Sequence, residues 1–216
     1  MTALTAGRRR LLRGAVVTVA FAPALAALPA ATAATAATSA TAATAPAVVD
    51  DGPTGNLPMT TTVRPDGTVL KEVPADVLQK LTAAAANPGC GRVCDGENPQ
   101  TYMITPPGGP SNWYTCAADA ITAKQALMPG GSSSGVELRY SPRCRTAWSR
   151  QLRLTNNYNF WLHVNSYYLS GTLRTSAYEG RLVPYTAMVD DAGLQARACV
   201  VYIQNNREEL LCTSKY

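Results

Sequence analysis

Five arginines, Arg139, Arg143, Arg145, Arg150 and Arg153, fall within one short stretch, with Glu137 as the nearby acid. A guanidinium presents a rigid fork of donors that matches phosphate and carboxylate oxygens two at a time. On a stiff hairpin such a cluster would hold an anionic cell-wall polymer or the acidic surface of another protein. Trp113, Tyr114, Trp161, Tyr167 and Tyr168 would add ring faces for sugars or peptides. The candidate binding set is therefore Arg139, Arg143, Arg145, Arg150 and Arg153 with Trp161 and His163. The competing reading spreads the arginines over solvated strand faces, each paired with acids from elsewhere in the chain.

Catalytic chemistry finds less support. His163 is the sole histidine, it alternates with Trp161 and Asn165 on a strand-like run, and no G-x-S-x-G elbow accompanies it. Asp190-Asp191 and Glu208-Glu209 are adjacent pairs, so within a strand each pair points to opposite faces. A glycosidase needs its two carboxyls facing each other across a cleft. Asp95, Glu97, Asp119 and Glu137 would have to converge from separate strands. Asp95-Gly96-Glu97-Asn98 lacks the alternating oxygen ligands of a calcium loop and reads as an Asx-type turn beside a disulfide. No catalytic residue, metal ligand or cofactor is assigned. A small extracellular hydrolase using dispersed Asp, Glu and His163, and a secreted proteinaceous inhibitor, stay open as alternatives.

The compartment is set by the other end of the chain. Arg8, Arg9, Arg10 and Arg13 precede a short apolar run and several A-x-A sites, the three parts of a secretory signal. Residues 1–33 are assigned to that signal, and either a general or a twin-arginine route would fit it. The apolar run is shorter than the roughly 20 residues a spanning helix needs, so no membrane span is expected after cleavage. The whole chain has 19 basic and 14 acidic side chains. Removing those four arginines leaves 15 basic against 14 acidic, a net charge of +1, which argues against nucleic-acid binding.

Residues 34–58 are an Ala/Thr-rich linker without an apolar face. Residues 59–88 read as a small hairpin around Pro65-Asp66-Gly67 and a helix opened by Pro74, and the sequence leaves open whether this spacer docks. Residues 89–216 alternate like strands at 117–127, 135–141, 148–154, 158–165, 167–178, 181–189, 196–204 and 208–214. The expected fold class is all-β: one disulfide-stapled antiparallel sandwich or small barrel, preceded by a flexible tether and one short helix.

Six cysteines, all between positions 90 and 212, supply the staples. Asn205-Asn206 suits a two-residue type I′ turn, since asparagine tolerates positive φ. That turn sets Gln204 opposite Arg207 and Cys199 opposite Cys212, at a non-hydrogen-bonded pair whose Cα atoms lie ~4.5 Å apart. Cys199–Cys212 is therefore expected. The other four allow three connectivities: Cys116–Cys144 with Cys90–Cys94, or Cys90 and Cys94 each joined to one of Cys116 and Cys144.

Several strings carry a resemblance: Cys90-Gly91-Arg92-Val93-Cys94-Asp95-Gly96-Glu97-Asn98-Pro99, Cys116-Ala117-Ala118-Asp119-Ala120-Ile121-Thr122, Glu137-Leu138-Arg139-Tyr140-Ser141-Pro142-Arg143-Cys144-Arg145-Thr146-Ala147-Trp148 and Tyr185-Thr186-Ala187-Met188-Val189-Asp190-Asp191. Together they resemble an uncharacterised family of exported actinobacterial proteins, a domain of unknown function. The resemblance spans roughly residues 89–216, with 100–114 inserted before the third cysteine. It implies an exported, cysteine-bearing β domain and brings no catalytic residue with it.

Overall fold

The strands follow the alternation, and two features that alternation does not carry decide how they pack. A computed structural model describes residues 57–85, 89–105, 113–130, 133–153, 160–180 and 183–216. The expected signal at 1–33 and all but the last two residues of the 34–58 linker lie outside the described residues.

The chain opens with β1 (Thr60–Val63) and β2 (Val69–Glu72), joined by a turn in which Asp66 Oδ1 accepts the Thr68 N–H at 2.9 Å and Gly67 takes φ +81°. Helix α1 (Ala75–Ala85) follows Pro74 and buries Leu78 against Val73, Ile121, Ala123 and Tyr140. Short strands β3 (Met103–Ile104) and β4 (Tyr114–Thr115) form a separate ladder. Then come β5 (Ile121–Leu127), β6 (Gly135–Ser141), β7 (Thr146–Leu152), β8 (Phe160–Tyr167), β9 (Leu173–Glu179), β10 (Val189–Asp190), β11 (Gln195–Gln204) and β12 (Arg207–Cys212). The order β1-β2-β5-β6-β7-β10 makes one sheet and β12-β11-β8-β9 another, with every pairing antiparallel.

The two sheets face each other as a sandwich. Val136, Leu138 and Ala147 from the larger sheet meet Leu162, Val164, Ala198 and Val200 from the smaller. Ser149 Oγ donates across the gap to the His163 carbonyl. A second core lies on the other face of the larger sheet, where Trp148 packs with Cys94, Cys116, Cys144, Tyr114 and Met188. The centre of the larger sheet is thus buried on both faces, which is why all of β6 is inaccessible, Glu137 and Arg139 included.

Within the stretch at 59–88, whose docking the sequence left open, the β1–β2 hairpin extends the larger sheet. β2 is hydrogen-bonded along β5 from Val69↔Leu127 to Glu72↔Lys124. Lys124 Nζ reaches Glu72 Oε2 at 3.3 Å and Ser214 Oγ at 2.9 Å, tying hairpin, sheet and chain end together. Three strand expectations also change. The run at 117–127 starts as a 3-10 turn, Cys116–Asp119, because Asp119 accepts from Ser141 Oγ and the Arg143 N–H. The run at 167–178 is cut by a turn in which Gly171 has φ +87° and the Tyr168 N–H reaches Thr172 O. The run at 181–189 contributes only β10 and one bridge, Arg150↔Tyr185, within the described residues.

Three disulfides are present, Cys90–Cys94, Cys116–Cys144 and Cys199–Cys212, with Cα separations of 5.9, 5.6 and 4.1 Å. Asn205 and Asn206 have φ +51° and +60°, and the ladder runs from Gln204↔Arg207 to Cys199↔Cys212. Changing both Cys199 and Cys212 to alanine should lower the unfolding free energy in urea by about 3 kcal/mol, the loop-closure value for a ring of ~15 residues. A loss near zero would mean that turn and ladder alone hold this edge.

Candidate functional site

The arginine cluster does not form a surface. Arg139 is fully buried, donating to Thr122 Oγ1 at 2.6 Å and Ala120 O at 3.0 Å. Arg150 is buried as well, and its Nε lies 2.7 Å from Glu137 Oε2. Arg143 lays its guanidinium 3.4 Å from the centre of the Tyr114 ring. Arg145 sits in the β6–β7 turn at φ +54° and lines a pocket, while Arg153 is exposed at φ +49°. Arg143 and Arg145 lie in the β6–β7 turn and Arg153 follows β7, so of the five only Arg139 and Arg150 share a strand face. The second core then covers the face that Arg139 and Arg150 share, so neither is available to a polymer.

Trp161 and His163, in contrast, do come together, on the outer face of the smaller sheet. Residues paired in register share a face, and the ladder aligns Trp161 with Val201, and His163 with Cys199 and Tyr178. The His163 and Tyr178 rings are 4.8 Å apart. Burial lowers the His163 pKa from its ordinary value, so the ring is neutral at pH 7. Further along β8, Tyr167 lies under two cations. Lys215 Nζ is 3.9 Å from the ring centre, and Arg197 donates to the Tyr167 hydroxyl at 3.1 Å. Tyr178, Leu173 and Leu210 stand out to solvent from the two edge strands. The result is a shallow aromatic face with a basic end.

Asp95, Asp119 and Glu137 are each engaged separately. Asp95 takes the Arg174 fork at 2.7 and 2.8 Å and the Asp190 N–H at 2.8 Å. Burial works against its charge, but those donors outweigh it and hold the carboxyl below the usual range. Its oxygens therefore anchor β10 and β9. Asp119 caps the turn before β5, Glu137 pairs with Arg150, and Glu208 and Glu209 are exposed on β12. Glu97 is exposed, with its carbonyl receiving the Met188 N–H.

Asp190 and Asp191 split as adjacent strand-end residues should. Asp190 joins the Asp95 network, its carbonyl accepting from Ser166 Oγ and Arg174. Asp191 turns toward a pocket of about 890 Å³ walled by α1, the β6–β7 turn, the Leu194 segment and Tyr216. It is 5 % exposed, and neither carboxyl oxygen has a hydrogen-bond partner. Burial, followed by the neighbouring Asp190, pushes its pKa well above the carboxylate range, with Arg145 and Arg174 opposing. The Tyr140 and Tyr216 rings meet edge to face at 5.0 Å, and the Tyr140 hydroxyl is 3.0 Å from Thr82 Oγ1.

The sulfurs of Cys90, Cys94 and Cys116 lie within 4.8 Å of one another. Because they are joined in disulfides, they brace the second core and offer no thiolate to a metal. No described helix is long and apolar enough to cross a membrane.

The family model described as "Protein of unknown function (DUF2690)" matches residues 92–199. The chain belongs to this family. No curated protein and no solved structure matches it. The DUF2690 span supplies Tyr140, Arg145, Asp191 and the β8–β9 aromatic pair. The helix that closes the pocket and Tyr216 lie outside it. Sequence reasoning passed over Asp191, Tyr216 and α1 as site residues. The available signal was the Val189-Asp190-Asp191 step, where a short buried strand must send one acid inward.

Proposed function

We propose that this DUF2690 chain is an exported, non-catalytic binding module of the cell surface, and that the outer face of the smaller sheet holds an anionic cell-wall polymer. The observation that carries this reading is the Trp161 and His163–Tyr178 series on one sheet face, ending where Arg197 and Lys215 cover the buried Tyr167 ring. Ring faces suit sugar units, and cations beside them suit phosphate or carboxylate groups along a polymer. Three disulfides support an oxidising compartment, in line with the signal-like N-terminus. Asp95, Asp119 and Glu137 are each engaged in holding the fold, which favours binding over hydrolysis by those carboxylates.

Purified protein should be retained on cell-wall fractions at low salt and released at high salt, as exposed charges are screened. Tyr178→Ala should weaken retention roughly tenfold, the usual consequence of losing about 1–2 kcal/mol at an aromatic contact. Arg197→Gln combined with Lys215→Gln should flatten the salt dependence. No retention at low salt would end this reading.

A further inference from the structure

Two side chains of opposite charge type, Asp191 and Arg145, line the same pocket, yet no ion pair joins them. Both Asp191 oxygens and Arg145 Nε are out of reach of solvent and unbonded. Leaving a buried polar group without a partner destabilises a fold, so a pair of them in one pocket wall is a cost that calls for a compensating role. We propose that this pocket binds a small zwitterion of the amino-acid or short-peptide type, its ammonium group on Asp191 and its carboxylate on Arg145.

The chemistry selects both charges. A simple organic cation would pair with Asp191 but would face the Arg145 guanidinium. A simple anion would pair with Arg145 and leave the buried carboxyl still unbonded. A zwitterion satisfies both: the buried Asp191 carboxyl releases its proton to solvent as the ammonium group docks, and the ligand's two charges screen each other in a partly dry site. The cavity of about 890 Å³ falls in the range of small-molecule sites and leaves room for a side chain or a second residue. Leu169 and Leu194 offer apolar wall for that part, and the Tyr140 and Tyr216 rings suit an ammonium group beside them. Arg145 is held in the pocket wall by its backbone N–H to Ser141 O, and its carbonyl receives the Asp191 N–H at 2.9 Å.

The site shares no residue with the aromatic sheet face, so the two readings fail separately. The test uses leucine and glycyl-leucine as probes, followed by calorimetry and thermal shift on the purified protein. At least one of them should bind and raise Tm, and which one binds better separates a free amino acid from a peptide. The N-acetylated and C-amidated forms of the better probe should each bind on the order of tenfold or more weaker, as when one partner of a buried charge pair is removed. Asp191→Asn should abolish the penalty for acetylation and keep the penalty for amidation. Arg145→Gln should do the reverse. Absence of binding by both probes overturns the proposal, as does equal binding of capped and free forms, or both variants losing the same discrimination. Far-ultraviolet circular dichroism and Tm of each variant establish that it is folded before its binding is read.

Discussion

Glu137→Ala should destabilise the protein by about 3–5 kcal/mol, and Arg150→Ala should do much the same, because each leaves its partner as an uncompensated charge inside the fold. Glu137 is 3 % and Arg150 11 % exposed at the side chain, and they meet at 2.7 Å. Gln125 Nε2 adds a second hydrogen bond to Glu137 at 2.9 Å, so the carboxylate has both oxygens occupied. The double replacement Glu137→Leu with Arg150→Met should cost far less than either single change, since similar-sized apolar groups remove the desolvation penalty together with the attraction. Urea unfolding of the four proteins compares these losses directly. Single changes below about 1 kcal/mol would mean that water reaches the pair and that the second core is looser than described here. The same variants bear on function: those that still fold should keep wild-type retention on cell-wall fractions, because Arg150 is a structural residue.

This pair shows why the arginine stretch was misread from the sequence. Val136, Leu138 and Tyr140 alternate with Glu137, Arg139 and Ser141, and such alternation ordinarily means one face in water. Here the polar face is covered by irregular segments, 89–104, 113–119 and 183–188, that have no periodicity to announce them. Burial is tolerable because each charge meets a partner that only the tertiary structure brings near: Arg139 with Thr122, Glu137 with Arg150, Asp95 with Arg174. By contrast, the β11–β12 register was legible to the residue, since a two-residue turn and period-two geometry leave no freedom once Asn205-Asn206 is placed. The helix and first hairpin were legible for the same local reason. Their docking was not, since it rests on β5 accepting β2, about fifty residues further along the chain.

The pocket follows the same rule. That Asp190 and Asp191 must diverge was readable, but both are buried, and that Asp191 would lie unbonded beside α1 and Tyr216 was not, since both of those are distant in sequence.

Asp191→Asn should therefore make the protein more stable near neutral pH, with no gain at pH 3. In the folded state burial, then Asp190, holds the Asp191 proton well above the ordinary carboxylate range, against Arg145 and Arg174. The unfolded chain releases that proton near pH 4. Between those two points the native state binds one more proton than the unfolded one, so this residue's contribution to stability falls as pH rises. The slope is about 1.4 kcal/mol per pH unit, and it ends only where Asp191 ionises within the fold. Tyr140 and Tyr216, which face it across the pocket, have pKa values raised by burial and stay neutral throughout. Asp95 and Glu72 have lowered pKa values, so their stabilisation is lost as pH falls, and it cancels between the two proteins. Asp119, raised by burial, cancels likewise. The difference between wild type and variant should thus open above pH 4 and widen as pH rises toward the point where Asp191 ionises within the fold, read as urea midpoints across the range. A constant difference would mean that Asp191 is ionised and paired after all. A carboxyl that weakens the fold at neutral pH, in a position where its amide would not, is the pattern expected of a group kept for binding at the expense of stability.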